Sequence, residues 1–232
     1  IINMADERRS GNFGLFSSSV ITETAKALAE GNQALFFVNR RGQSSALLCL
    51  DCGEVIRCAK CSSPLTVHHD NHLECHRCGT AEETPRACPH CKGLRLKKIG
   101  LGTEGIESEI KKIFGKAKIC RLDSDRIKKR GTSAKELIQE IEAADIIIGT
   151  QFIEKPLTLP RLKVSVAFYP ETMLNFPHFR SQERVFQLLT HLKNLTVGGE
   201  LFIQTCMPEH PLFEILQKNR PEDFYEQELA TR

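Results

Sequence analysis

Apolar runs alternate with amphipathic stretches along most of the chain. Five short segments predict strands, at 34–38, 118–122, 145–149, 164–168 and 200–204. An uninterrupted apolar run such as Ala34 to Val38 is typical of a strand that is buried on both faces of a parallel sheet. Because helical patterns separate these strands, the sequence predicts an α/β fold with a parallel sheet.

The first predicted helix begins after an N-cap cluster at Ser17 to Ser19 and ends near Glu30. The other helices are predicted at 106–114, 134–143, 179–192 and 211–218. Residues 1–17 are polar and predict no regular element. The chain begins at Ile1 without an initiator methionine, which indicates a fragment or a processed chain, and its acidic, helix-prone tail resembles an element cut short.

Eight of the ten cysteines lie between positions 49 and 91, in four C-x-x-C knuckles. The knuckles are Cys49 and Cys52, Cys58 and Cys61, Cys75 and Cys78, and Cys88 and Cys91. A structural zinc ion binds four ligands in a tetrahedron, and two such knuckles supply four thiolates. The spacing therefore predicts two zinc sites.

Four knuckles can pair in three ways, and the segment between Cys61 and Cys75 favours one of them. Its alternating residues around Leu65 and Val67, followed by Asp70-Asn71, predict a β-hairpin with a knuckle at each foot. One zinc would then bind Cys58, Cys61, Cys75 and Cys78, nested inside a second site made by Cys49, Cys52, Cys88 and Cys91. Eight thiolates complete both sites, so the nearby histidines are expected at the surface or behind the thiolates: His68, His69, His72, His76 and His90.

Disulfides or scattered core thiols are the alternatives for these cysteines. Disulfides form in oxidising compartments, whereas the polar N-terminus contains no apolar signal-peptide core, so a cytoplasmic location is expected. No apolar run approaches the length of a membrane span, and no membrane partner is expected. The predicted organisation is a first lobe segment at 1–48, a zinc-binding insertion at 49–99, the remainder of the lobe at 100–219 and the start of a further region at 220–232.

The formal net charge of +3 does not indicate a nucleic-acid partner. Two zinc ions add four positive charges and eight thiolates add eight negative ones, so the metallated chain carries about −1. Any basic surface must therefore be local.

Candidate contacts follow two of the predicted strands. Arg40 and Arg41 come directly after the first strand, and Thr150 and Gln151 come after the strand at 145–149. Ligands bind at the carboxyl edge of open α/β sheets, so these residues are candidate nucleic-acid or phosphate contacts, although a solvated arginine pair is an equal alternative. Thr103 is the predicted cap of a glycine-preceded helix whose N–H groups could meet a phosphate, but its acidic first turn would oppose an anion.

Ordered segments of the chain resemble a known family. The segments are ALFFVNRRG, LLCLDCGEVIRCAKC, LECHRCG, CPHCKG, GLGTE, RLDSD, DIIIGTQ, PHFRSQERVFQLLT and FIQT. In this order they are similar to the second helicase lobe of primosomal protein N′, the PriA family of replication-restart helicases. The resemblance covers nearly the whole chain, and the eight-cysteine insertion is specific to the family.

The resemblance implies a RecA-like lobe of a superfamily 2 DNA helicase that unwinds 3′ to 5′ with ATP and Mg²⁺ in the full-length protein. It assigns the same eight cysteines to the same two Zn²⁺ ions, and it implicates the zinc region in protein contacts and strand handling. The implied partners are forked or single-stranded DNA, primosome proteins and, as a further candidate, single-stranded DNA-binding protein. The implied DNA or interlobe contacts are Arg40, Arg41, Thr103, Thr150 and Gln151.

The chain departs from the family in its ATPase motifs. The family's G-T-Q-M-x-A-K-G-H-D-F-P is GTQFIEKPLTLP here, its D-A-D is Tyr169-Pro170-Glu171, and its Q-V-A-G-R-A-G-R is a shorter HLKNLTVGG. In the family those arginines approach the γ-phosphate, and losing such a finger typically slows turnover by about 10³ to 10⁵. The chain also contains no Walker A motif, so it is not expected to hydrolyse ATP alone.

Three functional hypotheses follow. The first is a replication-restart protein that binds forks and assembles the primosome with degenerate ATPase motifs. The second is an active helicase in which residues elsewhere, or Arg180 and Arg184, supply the arginine function. The third is a zinc-ribbon module for protein interaction without a role in replication, and the similarity of the lobe on both sides of the cysteines argues against it.

Overall fold

Two sheets of different character organise the chain. The computed structural model describes all residues except 40–44, 50, 53, 62, 69–71, 76, 101–102, 123–133, 151–157, 175–179 and 231–232. In that part the strands are β1 Ile2–Asn3, β2 Gln33–Phe37, β3 Ser45–Cys49, β4 Thr66–Val67, β5 His72–Glu74, β6 Ala81–Glu83, β7 Leu96–Gly100, β8 Ile119–Leu122, β9 Ile146–Gly149, β10 Leu162–Phe168 and β11 Glu200–Thr205. The helices are α1 Met4–Arg9, α2 Ser18–Ala29, α3 Thr103–Ile113, α4 Ala134–Ala143, α5 Glu171–Leu174, α6 Ser181–Leu195, α7 Pro211–Lys218 and α8 Pro221–Ala230.

The larger sheet has six strands in the order β1-β11-β10-β2-β9-β8, and every neighbouring pair is parallel. All five strands predicted from the sequence belong to it. Parallel neighbours need crossover connections, and the helices between the strands supply them. The predicted α/β class with a parallel sheet is therefore confirmed.

Both faces of this sheet are covered, as the uninterrupted apolar run of β2 predicts. Leu35 and Phe37 join one buried cluster with residues of α4, α6, α7 and α8, whereas Ala34 and Phe36 join a second with residues of α1, α2 and α3. Successive side chains of a strand point to opposite faces, so β2 contributes to both clusters and is buried throughout. The sheet is the middle layer of three.

Helix positions agree with the sequence at several points. The Ser17 hydroxyl accepts a hydrogen bond from the N–H of Val20 at 3.2 Å and begins α2, and α4 has the predicted bounds. The helix-prone tail forms α8, in which Phe224 is buried and stacks on Phe186 of α6 with ring centroids 4.2 Å apart. This helix packs on the lobe through that contact.

Two expectations were wrong. Residues 1–17 are not wholly irregular, because Ile2–Asn3 pairs with β11 and the Asn3 side chain caps α1 through the N–H of Ala5. A two-residue strand is too short to leave a periodic pattern, and only its tertiary partner defines it. The helix predicted at 106–114 begins earlier, so Thr103 lies in its first turn rather than before it.

The smaller sheet is antiparallel, with five strands in the order β6-β5-β4-β3-β7. It contains the predicted hairpin, in which Thr66 faces Glu74 and Val67 faces Leu73. Its core is small, with Leu47, Leu65 and Leu73 buried among the cysteine side chains. So small a core supplies little apolar stabilisation, and cross-links at the cysteines would add to it.

None of the helices in the described ranges is both long enough and apolar enough to cross a membrane.

Candidate metal centres and the carboxyl edge of the sheet

The four knuckles share one backbone arrangement. In each, the N–H of the first cysteine donates to the carbonyl five residues later, at 2.8 or 2.9 Å, and these pairs are Cys49 to Glu54, Cys58 to Ser63, Cys75 to Thr80 and Cys88 to Gly93. The residue after the second cysteine is left-handed in the two knuckles for which the structure describes it, at Gly79 (φ 70°) and Lys92 (φ 64°). This tight turn brings both thiols of a knuckle to the same side.

The structure brings the knuckles together as the hairpin predicted, into two groups of four thiols. The outer group is Cys49, Cys52, Cys88 and Cys91, and the inner group is Cys58, Cys61, Cys75 and Cys78. Contacts across the outer group are 3.6 Å between the Cys49 and Cys91 sulfurs and 3.7 Å between those of Cys52 and Cys88. Across the inner group, the Cys58 and Cys78 sulfurs are 3.6 Å apart and those of Cys61 and Cys75 are 3.3 Å apart.

These separations fit zinc and do not fit disulfides. Four sulfurs at about 2.3 Å from a tetrahedral ion lie about 3.8 Å from one another, whereas a disulfide bond is about 2.0 Å long. Each group could therefore hold one metal ion, and an all-thiolate donor set favours zinc among the common divalent ions. Such an ion would cross-link strands and turns that a small apolar core leaves weakly held.

The thiols of each group differ in their surroundings. Burial raises the pKa of Cys49 and of Cys52, and it raises the pKa of Cys75 to about 12. By contrast, a hydrogen bond from the Thr80 hydroxyl lowers the pKa of Cys78 to about 6, and the backbone N–H of Gly93 lowers the pKa of Cys91. Each group therefore combines buried thiols of raised pKa with at least one exposed thiol of lowered pKa.

The carboxyl edge of the parallel sheet carries some of the predicted contact residues. Val38 donates its N–H to the carbonyl of Gly149 at 2.8 Å, so that Asn39 and Thr150 follow adjacent strands at the same edge. Thr150 is buried, and Thr103 is partly buried in the first turn of α3. Arg40, Arg41 and Gln151 lie outside the described residues, and their roles stay predictions.

A buried polar cluster that the sequence did not predict lies at the same edge. Arg8 of α1 donates to the Tyr169 hydroxyl at 2.6 Å and reaches the Cys206 sulfur at 3.6 Å. Glu171 accepts hydrogen bonds from the Cys206 N–H and the Thr205 hydroxyl, each at 2.8 Å. Tyr169 and Glu171 follow β10, and Cys206 follows β11, so the cluster joins two strand ends to α1.

Burial dominates the electrostatics of this cluster. It raises the pKa of the Glu171 carboxyl, which is 2% exposed, and also that of the Tyr169 phenol. Burial also raises the pKa of the Cys206 thiol, and the positive charge of Arg57 opposes the rise in pKa at both Glu171 and Cys206 without reversing it. Arg57 immediately precedes the inner-group ligand Cys58, so the cysteine-rich insertion lies close enough to this edge for their charges to interact. No local sequence signal marks Arg8, because its partners are more than 150 residues away.

The segment that the resemblance aligns with the family's arginine motif includes the end of a helix. Residues 191–195 are the last turn of α6, and Thr196 follows as its C-cap. Lys193 donates to the Asn219 side chain at 3.0 Å and to the Leu216 carbonyl at 3.4 Å. This lysine therefore holds the C-terminal end of α7, where Asn219 is left-handed (φ 54°).

Comparison with known proteins gives a consistent result. The chain is 35% identical to the replication restart protein PriA of Bacillus subtilis, over the whole chain and 30% of that protein. It is 35% identical to PriA of Chlamydia pneumoniae, over the whole chain and 32% of that protein, and 34% identical to PriA of Haemophilus influenzae, over 93% of the chain and 30% of that protein. No protein-family model matches the chain.

The chain spans about a third of the length of these relatives. The matches extend across the parallel sheet as well as the cysteine-rich insertion, since they cover all or nearly all of the chain. They confirm the resemblance inferred from the motifs: from end to end, the chain is similar to one region of the PriA replication restart proteins.

Proposed function

We propose that the chain is the second helicase lobe, with a two-zinc insertion, of a replication-restart protein that binds forked DNA and helps to assemble the primosome. The observation that carries this proposal is the similarity to PriA along the whole chain. The two four-thiol groups support it, because they lie in the eight-cysteine stretch that carries much of the resemblance to this family. Forked or single-stranded DNA and primosome proteins are the proposed partners.

We further propose that the motor function of this protein is degenerate. The carboxylate of Glu171, in the position of the family's D-A-D motif, accepts hydrogen bonds from the Cys206 N–H and Thr205 hydroxyl in the interior. Lys193, the cation in the segment that replaces the arginine motif, contacts the end of α7. Both side chains therefore have structural partners. This supports a role as a scaffold that binds DNA and proteins, rather than a role as a motor.

DNA binding is tested by titrating a fluorescent fork with this chain at several salt concentrations. The expected result is salt-dependent binding that weakens in the pair Arg40→Ala/Arg41→Ala. The salt slope should fall by about 1 to 2, since each phosphate contact contributes about 0.9. The matched control is Lys111→Ala/Lys112→Ala, an adjacent basic pair that forms ion pairs with Glu107 and Glu109 on α3. Equal losses in both pairs would remove the arginines as specific contacts.

The degenerate motor is tested by measuring DNA-stimulated ATP hydrolysis by the full-length protein. We expect turnover at least about 10³ below that of a family member with an intact arginine motif. Robust turnover would instead favour the second candidate, an ATP-dependent 3′ to 5′ helicase whose arginine function comes from Arg180, Arg184 or residues outside this chain. The exposed position of Arg184 on α6 is the observation that keeps this candidate open.

A further inference from the structure

The outer face of the hairpin carries a polar cluster separate from the eight thiols. It consists of His68, His72 and Glu74, and one ligand atom of each lies within 4.8 Å of the others. The His68 Nε2 is 3.1 Å from a Glu74 carboxylate oxygen. The two imidazole rings are nearly parallel, with centroids 5.0 Å apart and an angle of 7° between their planes.

The strand register explains why these side chains meet. His72 and Glu74 are two residues apart on β5 and share a face, opposite to that of the buried Leu73. The N–H of His68 donates to the His72 carbonyl at 2.9 Å, which extends the β4–β5 pairing and places His68 across from His72. The knuckles at the two feet of the hairpin hold both strands, so the side chains on this face are preorganised.

We propose that His68, His72 and Glu74 form a third metal site, which binds a borderline divalent cation such as Zn²⁺ in exchange with solvent. Two imidazoles and one carboxylate are a donor set that zinc takes in open sites, with a further position left for water. Nitrogen and oxygen ligands at about 2.0–2.1 Å from a tetrahedral ion lie about 3.3 Å apart, and the His68–Glu74 separation of 3.1 Å is already close to that value.

Charge around the hairpin also favours a cation. Glu83 lies directly across from His72 on β6 and shares its face. The inner thiolate site, when it holds zinc, carries two net negative charges next to Glu74 in the sequence. The two imidazoles disfavour Mg²⁺ and Ca²⁺, which take oxygen ligands. The His68 and Glu74 side chains are 33% and 38% exposed, so the ion would enter directly from solvent and bind more weakly than the ions in the thiolate groups.

The test uses the chain with zinc in both thiolate groups, titrated calorimetrically with Zn²⁺. We expect one further equivalent to bind, and His68→Ala/His72→Ala to abolish it while the tightly held zinc content stays at two. Glu74→Gln should weaken the third site by more than about tenfold. His90→Gln, which changes an exposed histidine outside the cluster, should leave it intact. Absence of a third equivalent, or its persistence in the double variant, would overturn the proposal.

A second measurement does not depend on the variants. In the unmodified chain, the histidine ring signals in a nuclear magnetic resonance spectrum should respond to the first added equivalent of Zn²⁺ at His68 and His72. The same addition of Mg²⁺ should leave them unchanged. A response that is spread evenly over the other histidines would contradict the assignment to this hairpin.

Discussion

The Arg8 guanidinium donates to the Tyr169 hydroxyl over 2.6 Å in the interior of the lobe, and this hydrogen bond joins the first helix to the end of the central strand β10. Tyr169 is left-handed, with φ at 43°, an uncommon conformation for a bulky residue. The backbone strain at this strand end is therefore held in place partly by the contact between the phenol and the guanidinium.

Removing that contact should destabilise the lobe. Tyr169→Phe keeps the ring but takes a buried acceptor from Arg8, so we expect the free energy of unfolding to fall by about 1–3 kcal/mol. Urea denaturation measures this loss. The matched control is Tyr225→Phe, at a 44% exposed tyrosine of α8, which should stay within about 0.5 kcal/mol of the parent. Equal effects at both tyrosines would show that the Arg8 hydrogen bond is not the cause.

Glu171 should impose a pH dependence on stability. Its folded-state pKa is raised above the usual value of 4.5 because the carboxyl is buried. As the pH rises above 4.5, the unfolded chain loses this proton while the folded chain retains it, so stability falls until the folded-state pKa is passed. Glu171→Gln removes this contribution. Over that pH interval, the unfolding free energy of Glu171→Gln should therefore rise relative to that of the parent.

The measurement is urea denaturation of both proteins at equal zinc content, at several pH values from about 4.5 upward. Comparison with the parent removes the pH dependence that the thiol groups contribute to both proteins. Glu214→Gln is the control, because that exposed carboxyl has a lowered pKa from its Lys218 partner. The unfolding free energy of Glu214→Gln should not rise with pH relative to that of the parent. A Glu171→Gln difference that is constant with pH would contradict the prediction.

The two thiol groups should lose zinc separately. Cys58→Ser removes an inner ligand, so we expect the zinc content to fall from about two ions to about one per chain, with the outer group still occupied. Cys120→Ser, at a buried cysteine of β8 outside both groups, should retain two ions. Metal analysis after gel filtration gives the answer. A parent protein with a single ion would refute the two-site pairing.

Chelation should unfold the insertion and spare the lobe. The smaller sheet has a minor apolar core, whereas the larger sheet is buried on both faces. After chelation, amide hydrogens of β4 and β5 should exchange rapidly, while those of β2 and β9 stay protected. Loss of protection in β2 on chelation would show that the lobe depends on the metal.

Lys193 should matter for the stability of α7. Its ammonium donates to Asn219 and Leu216, so Lys193→Met should lower the free energy of unfolding by about 0.5–1.5 kcal/mol. Lys218→Met, which removes only an exposed ion pair with Glu214 on the same helix, should cost less. Thermal unfolding of both variants compares them directly, and a larger loss at Lys218 would contradict the assigned role.

The features that sequence predicted well are those set by local pattern. The apolar run at Ala34 to Val38 defines a fully buried strand, and the hairpin between Cys61 and Cys75 selects one pairing of knuckles from three. Strands β3 and β7 were not predicted, because their pairing links residues about 50 positions apart and their sequences are dominated by neighbouring knuckles.

The pattern of apolar and polar residues does not predict side-chain contacts between residues that are far apart in the chain. Arg8 looks like one charge in the polar run at 6–9, and only the fold brings it to Tyr169. The histidines were expected at the surface or behind the thiolates. His68 and His72 do lie at the surface. Their proximity to Glu74 depends on the register of the hairpin, and the sequence predicted the hairpin without predicting which side chains face each other.

The pairing of β3 with β7 explains how the lobe can accommodate a long cysteine-rich stretch. Ser45 and Gly100 are direct partners across these strands. Partners in antiparallel strands have Cα atoms only about 4.5–5.5 Å apart, so the whole intervening stretch departs from and returns to nearly one point. A short turn could replace it without stretching the lobe. Insertion or removal of the whole stretch in one step would therefore leave the parallel sheet intact.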